Sequence, residues 1–218
     1  MIWFRLPPGY HTLDPSTYGL LESAGATIVA PIIEGTQPTG QLRAEMRAVV
    51  DLLTALTEQG CMHMALGVHP DGAHGACTSL FSLSALESTA PTPQTAAAQA
   101  ALGMANSPLW QASRRALLEL PGGTPAALVA GTLTPPTGLL HSCGITVAAQ
   151  EVFQARVAVP FPDASHVAIA DLTSAAVRHA EEYTDILEGI AHTFTFVNPE
   201  SPSAVPNSTS SRILDLLT

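Results

Sequence analysis

One stretch limits the possible folds more than any other. Two strand-like apolar runs, Phe153–Val159 and His166–Leu172, flank Pro160-Phe161-Pro162-Asp163, and an amphipathic helix pattern over Ala175–Ala191 leads into Thr193-Phe194-Thr195-Phe196-Val197. In that helix Val177, Ala180, Thr184, Leu187 and Ala191 form one stripe, while Glu181, Glu182, Asp185 and Glu188 form an acidic one. The apolar stripe needs a surface to bury it, and the neighbouring strands supply one. The stretch therefore reads as a β-β-α-β unit, and it contains no catalytic signature.

Upstream, punctuation by Pro and Gly divides the chain. Trp3–Leu6 reads as a short strand stopped by Pro7-Pro8-Gly9, and Asp14-Pro15-Ser16-Thr17 offers an N-cap to a helix over Thr17–Ala24. Thr27-Ile28-Val29-Ala30 fits either a strand or an extension of that helix. From Gln41 to Gln59 the periodicity is helical: Leu42, Met46, Val49, Val50, Leu53 and Leu56 share a face, and Gly60 supplies the stop. Cys61–His69 and His74–Leu86 read as a hairpin across Pro70-Asp71-Gly72; Ser113–Leu120 and Pro125–Leu133 read as a second across Pro121-Gly122-Gly123-Thr124. An Ala-rich helix over Thr95–Met104 lies between them. A loop over Pro135–Gly144 and a long strand over Val147–Val159 complete the order. This is an α+β pattern: a single domain over residues 1–197, mainly antiparallel sheet with packed helices. Residues 198–218 follow as a Pro/Ser-rich linker with an apolar end.

Charge narrows the class of partner. Only 12% of residues are charged, there is no lysine, and eight arginines against 18 acidic residues leave a net charge of −10. Abundant Ala and Pro with no Lys suggests the GC-rich coding bias of actinobacteria. A surface of this sign repels phosphate backbones and anionic lipid, so neither nucleic acid nor a membrane surface is an expected partner. No apolar run approaches the ~18 residues of a membrane span, and the N-terminus lacks a signal-peptide pattern. The expectation is a soluble cytoplasmic protein. Cys61, Cys77 and Cys143, odd in number and widely spaced, suit free thiols in a reducing compartment.

Three stretches resemble a known family. Phe4-Arg5-Leu6-Pro7-Pro8-Gly9-Tyr10 is similar to the opening of the small α/β proteins related to photosystem extrinsic protein PsbP and to the nuclear Ran-binding release factor. Leu118-Glu119-Leu120-Pro121-Gly122-Gly123 resembles a strand end of their actinobacterial members. Val157-Ala158-Val159-Pro160 and Tyr183 through Phe194 resemble their closing strand, helix and strand. The resemblance spans residues 3–197 and implies a PsbP-like α/β/α sandwich. It further implies a non-enzymatic protein that holds partner proteins, as an adaptor or chaperone, in bacteria also for secreted effectors. It supplies no catalytic residue and no cofactor.

Two groups of residues carry what chemistry the sequence offers. Cys61, His63, His69, His74 and Cys77 combine thiols and imidazoles, the ligand types zinc prefers. Strand parity points Cys61 and His63 the same way and lets His69 and His74 face each other across the turn. The spacing matches no finger or ribbon, so ordinary hairpin residues are the competing reading. His141-Ser142-Cys143-Gly144 holds a thiol beside an imidazole with no orienting acid. Glu181, Glu182, Asp185 and Glu188 are either a solvated face or a docking stripe for a basic partner. Ile213, Leu214, Leu216 and Leu217 make an apolar patch that has to be covered, by the domain itself, a second subunit or a partner.

The functional expectation is a non-catalytic protein-binding module needing no cofactor, with a link to a bacterial secretion system and homo-oligomerisation both open. The alternative is a small-molecule-binding protein or hydrolase. Its pocket would lie near His141 and Cys143 or near the hairpin of His63, His69 and His74.

Overall fold

In the computed structural model, residues 1–18, 47, 50–51, 53–71, 75–106, 110–134 and 151–198 are described. Seven strands, β1 (Tyr10–Thr12), β2 (Cys61–Pro70), β3 (Ala76–Glu87), β4 (Trp110–Leu120), β5 (Thr124–Leu133), β6 (Val152–Pro160) and β7 (His166–Ser174), form one sheet. Its order is β1-β2-β3-β7-β6-β5-β4, and every described pairing is antiparallel. The fold is a single α+β domain.

Both expected hairpins form, and the turn of the second reverses tightly. Gly122 and Gly123 take φ of 82° and 75° between Leu120 and Thr124, a conformation costly for residues with a Cβ. The decisive non-local pairing is β3 with β7, with Leu80 opposite Thr173 and Glu87 opposite His166. It sets the two halves of the chain side by side and gives the sheet its centre.

Period-two alternation then sorts the side chains. Phe81 and Leu83 of β3, Leu128 of β5, Phe153, Val157 and Val159 of β6, and Leu172 of β7 face one side. There the helix Ala180–Ala191 lays Tyr183, Leu187 and Ile190 onto them. On the opposite side Ala127, Val129, Ala158 and Val167 receive the helix Pro93–Ala105 through Ala96 and Met104. Small residues dominate that seam and let helix and sheet approach closely. Thr92 caps this helix, its hydroxyl accepting from the Thr95 amide. On the same side, beyond a gap, the helical residues 53–58 bring Leu53 against Met64 and Tyr18.

Several expectations need correction. Trp3–Leu6 and Thr193–Val197 are not strands: they meet through one bridge, Trp3 with Thr195. Pro7 and Pro8 remove the donors a longer ladder needs. Ring contacts hold the ends instead, Phe4–Phe194 at 5.6 Å and Phe161–Phe196 at 4.8 Å. The first strand is Tyr10–Thr12, beyond the Pro-Pro-Gly turn, where Gly9 at φ 91° accepts from the Val68 amide at 2.9 Å. The pattern over Ala175–Ala191 divides into a 3-10 turn, Val177–His179, and an α-helix from Ala180. Residues 19–46 with the Thr27–Ala30 run, the loop over Pro135–Gly144 with His141 and Cys143, His74, and the tail with Ile213, Leu214, Leu216 and Leu217 lie outside the described residues.

Candidate functional site

A cluster of thiol, imidazole and carboxylate forms where the first hairpin turn meets the end of β7. Strand β2 stops at Pro70, and the Asp71 amide donates to Gly75 O at 2.9 Å across the turn. From the β3–β7 ladder, the Ser174 hydroxyl donates to Thr78 O at 2.7 Å, which ties the end of β7 beside Cys77. The chain then folds back through Val177–His179 and lays Arg178 and His179 over that turn.

Asp71 is the hub. Its side chain is only 5% exposed, so the carboxylate needs partners to replace water. Arg178 Nε donates to Oδ1 at 3.2 Å and the guanidinium also contacts Oδ2. His179 Nε2 reaches the same Oδ1 at 2.8 Å, and its Nδ1 lies 3.5 Å from Glu182 Oε1. Cys77 Sγ and the Tyr183 hydroxyl share a hydrogen bond of 3.1 Å. One carboxylate oxygen of Asp71, Cys77 Sγ and one ring nitrogen of His179 all lie within 4.8 Å of one another. An open groove of about 370 Å³, lined by Asp71, Cys77, Thr78, Ala176 and Arg178 among others, leads to them.

The surroundings favour the neutral forms of Tyr183 and His69. Tyr183 is pushed up to about 12, first by burial and then by its hydrogen bond to Cys77. His69, directly opposite Cys77 in the hairpin register, is held below the ordinary imidazole range by burial and, secondarily, by the charge of His179. Its Nε2 bonds Ser79 Oγ at 3.0 Å, and Ser79 bonds the Tyr10 hydroxyl at 2.8 Å. Gly67 makes room for that chain, since a Cβ there would stand 2.5 Å from Ser79 Oγ. As a nucleophile–base pair the cluster is poorly arranged, because both nitrogens of His179 already face carboxylates.

Of the five hairpin residues singled out by sequence, His74 lies outside the described residues and the other four do not converge. A register shift between Cys61 and His63 breaks the parity that would align them. Cys61 packs with Leu53, Leu56 and Met64, its thiol donating to the carbonyls of His63 and Leu83, and burial pushes that thiol up. His63 turns to the other face between Phe4 and Phe81, where burial lowers its pKa. Its Nε2 has no hydrogen-bond partner among the described residues. Among the four described, Cys77 is the one that joins the cluster. The residues that sequence reasoning missed are Asp71, Arg178 and His179. Their signal was the β3–β7 pairing: once Leu80 opposes Thr173, the chain beyond Ser174 must run past the Asp71 turn.

On the acidic stripe, Glu181, Glu182 and Asp185 are exposed and Glu188 is partly so. Arg114 of β4 reaches Glu188 at 3.1 Å and Asp185 at 3.8 Å, so the stripe already holds an internal cation. A second recess, about 380 Å³, lies on the opposite face, between Leu56 and Gln59 and the strands β3, β6 and β7. On its floor the Asp171 carboxylate accepts from Arg156 Nε (2.5 Å), Gln154 Nε2 (2.8 Å) and Thr173 Oγ1 (2.8 Å).

Fold and site together define a single-domain α+β protein with helices on both faces of an antiparallel sheet. No family model matches the sequence, and no curated protein matches it. Among solved structures the chain is similar to LpqN, involved in cell envelope biogenesis of Mycobacterium tuberculosis, at 14% identity and a TM-score of 0.45 over 89% of this chain and 82% of that one. It is also similar to PA94 of Pseudomonas aeruginosa, a protein of unknown function, at 14% identity and a TM-score of 0.39 over 63% and 84%. Both relations are distant and concern the fold alone.

Proposed function

We propose that the protein is a protein-binding module that accepts an extended segment of its partner along strand β4. The observation that carries this reading is the position of β4: it is 11 residues long, ends the sheet, and has no described strand along its outer side. An edge of that length presents a row of backbone donors and acceptors, the usual template for strand addition. Leu117 stands on it 74% exposed, with Arg115 and Glu119 exposed on the same face.

Those three side chains specify the partner segment. Pairing antiparallel about Leu117, it should carry an apolar residue opposite Leu117, an acid opposite Arg115 and a base opposite Glu119. A second copy of β4 turned about Leu117 meets the same conditions, so self-pairing is the alternative occupant of the same edge. The resemblance to PsbP-related proteins, whose members hold partner proteins, points in the same direction.

The test compares wild-type protein with Leu117→Asp. The substituted position is exposed, so the fold should keep its melting temperature to within about 0.5 kcal/mol of stability. Native co-purification and sedimentation should show a protein partner, or a concentration-dependent dimer, for wild type and neither for the variant. Identical partners and mass for both proteins would refute the edge as the binding surface.

A further inference from the structure

We infer that Asp71, Cys77 and His179 form a binding site for a single borderline-soft divalent cation, with zinc the best match. The site lies on the hairpin turn and the segment before the closing helix, apart from strand β4. Carboxylate oxygen, thiolate sulfur and imidazole nitrogen are the three ligand types of protein zinc sites, and zinc–ligand distances run about 2.0–2.3 Å. Three donor atoms mutually within 4.8 Å can therefore surround one ion with small side-chain adjustments. They come from distant parts of the chain, the hairpin turn, the start of β3 and the residue preceding the closing helix. The turn hydrogen bond from the Asp71 amide to Gly75 O and the Ser174–Thr78 contact hold the first two in place, and His179 leads directly into that helix.

The environment supports a cation. Asp71 is buried, paired with the Arg178 guanidinium and hydrogen-bonded to His179, so the pocket already compensates its charge. Arg178 is the occupant that an ion would displace, and its side chain is 52% exposed, so the guanidinium can swing into water without a burial penalty. The groove of about 370 Å³ on that side provides entry and room for a water as fourth ligand. Tyr183 donates to Cys77 Sγ once the sulfur is a thiolate, the supporting contact such ligands commonly have. Binding releases the Cys77 proton to solvent, and His179 binds through Nε2 as the neutral ring, leaving Nδ1 facing Glu182. Magnesium and calcium suit the set poorly, because both favour shells built of oxygen.

The test is titration of the full chain with cobalt(II) as a spectroscopic stand-in, then zinc competition followed by calorimetry. Wild type should develop a thiolate-to-cobalt charge-transfer band that zinc abolishes at one ion per chain. Cys77→Ser should lose the band, and Cys61→Ser should keep it, since Cys61 lies on the other face of the sheet. His179→Ala should weaken zinc by more than the roughly 10- to 100-fold that changes to outer-shell partners cause. Arg178→Ala separates the proposal from a merely structural ion pair: removing the competitor should tighten zinc binding, whereas a structural role predicts only lower thermal stability. No charge-transfer band in the folded wild-type protein overturns the site. So does a band that survives Cys77→Ser, or zinc affinity unchanged in both His179→Ala and Arg178→Ala.

Discussion

Two leucines that look alike in the sequence should behave very differently when truncated. Leu187 lies at 0% exposure in the helix Ala180–Ala191, packed in a cluster with side chains of β3, β5, β6 and β7. Leu117 lies on edge strand β4 at 74% exposure. Truncating a buried leucine costs the lost transfer energy plus the cavity that remains, about 2–5 kcal/mol. A sheet tied by ladders on both sides cannot collapse into the space, so Leu187→Ala belongs in the middle or upper part of that range, about 3–4 kcal/mol. For a domain of this size each kcal/mol moves the melting temperature by about 2–4 °C, giving a drop of roughly 6–16 °C. Leu117→Ala should stay within about 0.5 kcal/mol of wild type. Circular-dichroism melts and urea titrations read both. If Leu187→Ala melts with wild type, or the two variants lose equal stability, the assignment of core face and edge is wrong.

Other outcomes follow from the same contacts. His63 is held neutral by burial between Phe4 and Phe81, with its pKa below the ordinary value. The unfolded chain therefore takes up the proton first: the contribution is present above the unfolded pKa of about 6.5 and is lost as pH falls from there toward the folded value. His63→Phe should flatten that part of the stability–pH curve, and a slope unchanged from wild type contradicts the packing. At Gly131 a Cβ would stand 2.1 Å from Gln111 O, beside the register shift at Ala112 and Arg114. Gly131→Ala should therefore loosen β4 selectively, visible as faster amide exchange in β4 than in β6, and cost about 1–3 kcal/mol. Gly67→Ala should break the Tyr10–Ser79–His69 chain, since a Cβ meets all three side chains within 2.8 Å; an unchanged tyrosine titration would contradict this.

The fold was legible where local chemistry dictated it. Pro70-Asp71-Gly72 and Pro121-Gly122-Gly123 announced their hairpins, and the stripe of Thr184, Leu187 and Ala191 announced the helix that covers the sheet. What local chemistry does not encode is which strand of one hairpin lies beside which strand of the later unit. That missing β3–β7 pairing is why Cys77 was grouped with its hairpin neighbours and not with His179, 102 positions later. Parity likewise misplaced Cys61, because one register shift reverses the face of everything before it. Tyr10-His11-Thr12 is too short and too polar to read as a strand by itself; it becomes one only because β2 offers a free side.

Amide hydrogen exchange across the whole chain, in the presence and absence of the partner or at low and high protein concentration, tests the central claim most directly. Strand addition should slow exchange within residues 110–120, whose outer side has no described strand, while the outer helices change little. Protection on the Glu181–Glu188 stripe with β4 unaltered would contradict the account and move the binding surface to the helix.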